Sequence, residues 1–168
     1  MSLSMYDASV PVFIRMLGNL AAILRKGAAS AEARSLEPTV LTGARLGPDM
    51  HPLTRQVQIA CDAAKGCAAR LAGVEVPGHP DVEVSFPELQ ARIDATVAFL
   101  DTIKPEQIEG AETRSITLKV QGSEMVLPSQ MFLLNFALPN FYFHVSTAYD
   151  ILRHNGVDLG KRDLLGVG

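Results

Sequence analysis

The chain has no tryptophan, only two cysteines and no long uninterrupted apolar run. Each scarcity excludes something. Two thiols cannot make a disulfide framework. Cys61 and Cys67 lie six positions apart on one predicted helix, about 120° apart around its axis, so no bridge joins them. Buried, reduced thiols fit a cytoplasmic protein. The apolar N-terminal stretch MSLSMYDASVPVFIRMLGNLAAIL is interrupted by Asp7, Pro11, Arg15 and Asn19 and lacks a basic leader. It therefore reads as a core helix, neither a signal peptide nor a membrane span. A net charge of −3, with the charges scattered, leaves no basic stripe to neutralise phosphates. Nucleic-acid binding is not expected. No Gly-rich phosphate loop, G-x-S-x-G or Cys/His zinc spacing occurs, and there are no internal repeats.

What is present is globular. Hydrophobic residues outnumber charged ones, 48% to 20%, and 168 residues suit one domain, here 1–168, with a substantial core. Abundant alanine favours helix, because it loses no side-chain entropy there.

Four helical segments and a hairpin follow from periodicity. Tyr6, Val10, Phe13, Leu17, Leu20 and Leu24 recur at three- and four-residue spacing, an apolar stripe that ends between Gly27 and Arg34. LEPTVLTGARLGPDMHP is a long Pro- and Gly-rich connection. A second helix runs from about Leu53 to Leu71, with Val57, Ala60, Cys61, Ala64 and Ala68 on its apolar face and Gly73 as stop signal. PGHPD, residues 77–81, is read as a turn. Ser85-Phe86-Pro87-Glu88 has capping-box spacing and opens a third helix with Leu89, Ile93, Val97, Leu100 and Ile103 inward. In RSITLKVQGSEMVLPS the period becomes two around Gln121-Gly122-Ser123, a β-hairpin. The last helical stretch spans Ser129 to Asn155, with Pro139 as a break or kink. The sum is all-α: a four-helix bundle with a small β-hairpin before the last helix.

One polar patch interrupts the apolar last helix. In NFYFHVSTAYDILRH, Asn140 and His144 are four apart and share the face continued by Ala148, Ile151 and Leu152. His154 is directed to solvent. A buried amide or imidazole without a partner costs about 1–3 kcal/mol, so each must meet another helix, water, a ligand or a metal. Tyr6, Tyr142, Gln58 and His51 are candidate partners. The plainer explanation is a hydrogen-bonded core pair that fixes helix register. The sharper one is a site in the bundle interior, where facing helices build sites.

The segments DMHPLTRQVQIACDAAKG and FALPNFYFHVSTAYDILRHNGVDLG resemble a bacterial family of uncharacterised proteins within the DinB/YfiT-like metalloenzyme superfamily. The resemblance covers nearly the whole chain and implies a four-helix bundle that assembles as a homodimer. Metal-binding members hold a divalent ion with one histidine on the second helix and an H-x-x-x-H on the last. By that resemblance His144, nine residues ahead of Arg153, matches the second histidine of the pair. Asn140 stands in place of the first, and Gln58 is nearest the second-helix position. His51, Cys61 and Asp62 are the available substitutes, with His144 and His51 the metal-ligand candidates. Amides are weak neutral donors, so zinc or nickel is not favoured as a cofactor.

Two functional classes follow. One is a small-molecule-binding or stress-associated module with a degenerate metal site, using Asn140, His144, Tyr142 and Gln58. The other is a metal-dependent hydrolase or thiol-transferase built on His144 with non-standard ligands. No second acid or base completes a mechanism, so no catalytic residue is assigned. Asp49 and His51, just ahead of the second helix, are read as its cap in preference to ligands. Arg45 and Arg55 read as surface salt-bridge partners in preference to an anion site. Phe141, Tyr142 and Phe143 read first as core packing.

Overall fold

The computed structural model describes residues 3–120 and 122–167, with only the backbone of Val120. α1 (Val10–Ala33) carries the first apolar stripe, with Pro11 in its opening turn, where a missing N–H is harmless. The long connection holds a short helix, α2 (Pro38–Thr42). α3 (Leu53–Ala72) ends on Gly73 at φ 70°, a left-handed cap that only glycine adopts without strain. α4 (Phe86–Thr102) opens with the predicted reciprocal box: Glu88 N–H donates to Ser85 Oγ, and Ser85 N–H donates to Glu88 Oε2 at 2.8 Å. After α5 (Pro105–Ile108) and a 3-10 turn at Ala111–Thr113 come the paired strands β1 (Ser115–Val120) and β2 (Ser123–Pro128). Ile116 and Leu118 turn inward onto the bundle, and Gly122 in the connecting turn sits at φ 81°. Gln121 of that expected turn lies outside the described residues.

The last stretch is one continuous rod: α6 (Ser129–Phe132), a π turn at Leu133–Ala137 and α7 (Leu138–His154). Pro139 has no N–H, and its ring would strike the carbonyl four residues back. The chain widens instead of breaking, and Leu138 N–H donates five residues back to Leu133. A short α8 (Lys161–Leu165), unforeseen from the sequence, docks on α1 through Asn19 Nδ2 to the Leu164 carbonyl at 3.0 Å and Lys26 to Asp163.

α3 packs between α4 and α7, and α1 closes the bundle against the same two. Phe13 and Phe141 meet edge to face in the core, ring centroids 4.9 Å apart. Residues 77–81, read as a turn, instead form part of an irregular extended connection between α3 and α4. Ion pairs hold it there, as described below. Among the described residues no helix is long and apolar enough to cross a membrane.

Candidate functional site

α3 and α7 run antiparallel, so the turn of α7 that carries His144 faces the first turn of α3. His144 is 8% exposed. Its Nδ1 lies 2.6 Å from Gln56 Oε1, and Gln56 Nε2 donates to the His51 carbonyl at 3.0 Å. That second bond fixes the first. A carbonyl can only accept, so the amide nitrogen must face His51 and the amide oxygen must face the imidazole. Nδ1 therefore carries the proton and donates to Gln56. Burial, then the neighbouring His51 and Arg55 charges, push the His144 pKa from 6.5 down to about 4. At neutral pH the ring is uncharged, and its Nε2 presents a lone pair. Among the described residues the only fully buried, unpartnered side-chain polar atom is Arg92 Nε. Nε2 has no protein partner in this set and so touches solvent. The Phe143 ring stands edge-on to the imidazole at 5.1 Å and walls one side.

The other predicted site residues disperse. Asn140 lies one turn earlier, in a cleft of about 200 Å³ with Asp62, Cys67 and Arg70. Gln58 turns away from α7 and donates to Glu83 Oε2 at 2.9 Å. The α3 residue that meets His144 is Gln56, two positions earlier. Its signal was present in the sequence: Gln56 falls three after Leu53 and four before Ala60, on the buried stripe. Tyr142 is 40% exposed, its ring against Phe141. Tyr6 lines a separate cleft with Met5, Ile108 and Leu133. His51 joins the site through its backbone carbonyl, while its side chain is exposed. The expected cap is absent: Pro52 is the N-cap, no side chain bonds there, and the first free amide, Leu53 N–H, donates to the Ala44 carbonyl at 2.9 Å. Arg45 donates to the Met50 carbonyl and forms no ion pair among the described residues.

The donor set does not fit a zinc or nickel ion. Among the described residues no three His, Cys, Asp or Glu side chains are arranged to hold a metal ion. The Gln56 oxygen is already an acceptor for His144. Cys61 is buried in the core, and burial pushes its thiol up to about 12. Asp62 is taken up by Arg92 Nη2 at 2.9 Å and Lys65 at 3.1 Å.

Those contacts belong to a charge cluster that sequence reasoning missed. Arg92 lies on the inward face of α4 with its side chain 1% exposed, reaching Asp62, Asp81 at 3.0 Å and Glu83 at 3.1 Å. It also donates to the Pro80 carbonyl at 3.1 Å. Arg55 pairs with Asp81. The signal was an arginine between Leu89, Ile93 and Thr96, all buried. Burial alone would raise the Glu83 pKa, but its backbone N–H, the Gln58 amide and the Arg92 guanidinium together hold it below the usual range.

The model of a family described as "Domain of unknown function (DUF1993)" matches residues 5–165. A solved structure described as a DinB family member protein from Shewanella denitrificans is 42% identical. It superposes with a TM-score of 0.90, over 98% of this chain and 92% of that one. No curated protein matches.

Proposed function

For a chain that belongs to the DUF1993 family and has a DinB-like fold, we propose a small-molecule-binding module built on an oriented neutral imidazole, at the position that the superfamily resemblance assigns to a ligand in metal-binding members. One observation carries this reading: the Nδ1–H to Gln56 bond of 2.6 Å, which locks the tautomer and leaves Nε2 as a fixed acceptor. An acceptor beside an apolar ring, backed by a buried amide, recognises a ligand hydroxyl or amide N–H. The weak donors around it disfavour the metal-dependent alternative. The buried, reduced thiols support a cytoplasmic setting, and the exposed Tyr142 and Phe143 rings support a homodimer.

Elemental analysis of untagged protein, before and after excess zinc or nickel, tests the first half. We expect no stoichiometric ion. Nitrogen NMR of the imidazole is expected to show the Nδ1–H form at pH 7. One bound ion per chain that disappears in His144→Ala would overturn the reading and restore the metalloenzyme. A ligand-observed NMR screen tests the second half, with His144→Ala expected to lose the hits. Hits that survive that substitution would place binding elsewhere.

A further inference from the structure

The cleft between α3, the hairpin and the π turn has a chemistry that the His144 site does not use. Its volume of about 200 Å³ corresponds to roughly seven waters at ~30 Å³ each, room for a small organic molecule. Its apolar wall includes Phe132 and Phe136, rings 24° from parallel with centroids 6.0 Å apart. The π turn lies directly behind that wall, and such turns recur at functional sites.

The polar side of the cleft is biased to anions. Asp62 is its one carboxylate and is already neutralised by Arg92 and Lys65. Arg70 and Lys119 also line the cleft, and neither forms an ion pair among the described residues. The Asn140 side chain makes no hydrogen bond within the same set and leaves an amide donor free. Arg70 is placed, not loose. Its Nη1 lies back along α3 and donates to the Gly66 carbonyl at 2.9 Å. A Cβ on Gly66 would come within 2.6 Å of that nitrogen, and no other side chain or neighbouring element comes within 4 Å of it. A mid-helix glycine weakens the helix relative to alanine, so this one has a local use: it lets the guanidinium fold over the cleft.

We propose that this cleft binds a small aromatic carboxylate, with the ring against Phe132 and Phe136 and the carboxylate facing Arg70, Lys119 and the Asn140 amide. Two cations and an amide around one oxygen pair suit a carboxylate, and the flat apolar wall suits a ring. The site lies one turn of α7 from His144 and stands independently of the reading given there.

Titration of the full chain with benzoate, followed by amide chemical shifts, tests this. We expect saturable binding with a dissociation constant of about 1 mM or tighter, and shifts centred on Gly66 and the Asn140 side chain. Benzyl alcohol, the uncharged control, should bind about tenfold more weakly, as should Arg70→Ala to benzoate. Gly66→Ala keeps every charge and improves helix propensity, yet should weaken benzoate several-fold by displacing Arg70. His144→Ala should leave benzoate affinity unchanged, which separates this cleft from the imidazole site. Equal affinity for benzyl alcohol, shifts located elsewhere, unaltered affinity in Gly66→Ala, or no binding at about 20 mM would each overturn the proposal.

Discussion

A histidine that is harder to protonate when folded makes stability depend on pH. The unfolded chain takes up a proton near 6.5, while folded His144 resists until about 4. Between those values the unfolded state binds more protons, so stability is full above 6.5 and falls as pH drops toward 4. The difference integrates to about 3 kcal/mol. Urea titrations between pH 4 and 7 should show that loss, and His144→Gln should flatten it. An unchanged slope in the variant would mean that the imidazole titrates normally. At this same scale, the His51 carbonyl, which cannot donate, decides where a proton sits two groups away.

Elements end and bend here for reasons held in single residues. Gly73 closes α3 in the left-handed region, with the Ala69 and Arg70 carbonyls capped by the amides that follow. Gly73→Ala is expected to destabilise the protein by about 1 kcal/mol, read from chemical unfolding, because a Cβ there crowds its own carbonyl. The π turn has a different cause. Pro139 removes one helical N–H, and in the turn before it the chain carries an extra residue, with Leu138 N–H bonded five residues back to Leu133. The periodicity of the last helix was legible, and Pro139 marked where it would yield. That it yielded by an extra residue in one turn, and not by a break, was not written in that pattern.

For the whole molecule, the extended connection between α3 and α4 holds its place through Arg92. Arg92→Ala would strand Glu83, 12% exposed at its side chain, beside the Asp62 and Asp81 carboxylates. Removing one partner of a buried pair is far worse than never having it, so a loss of about 3–5 kcal/mol is expected in thermal or chemical unfolding. The Glu83 part of this stability is present above its ordinary pKa of 4.5 and disappears as pH falls through its lowered value. Acid should therefore weaken the fold in two steps, His144 first.

The sequence by itself determined the bundle, the glycine that ends α3, the capping box at Ser85, the hairpin and the burial of His144. Those features rest on periodicity and local backbone chemistry, which neighbouring residues carry. Only the tertiary structure decided that His144 meets Gln56 and not Gln58, that Asn140 belongs to a separate cleft, and that Arg92 gathers three carboxylates. Each of those contacts spans 9 to 88 positions in the chain. Such partners depend on helix rotation and crossing. Two residues of register on α3 turn a side chain by about 200° at 100° per residue, so a match to the nearest polar residue in sequence cannot choose between them.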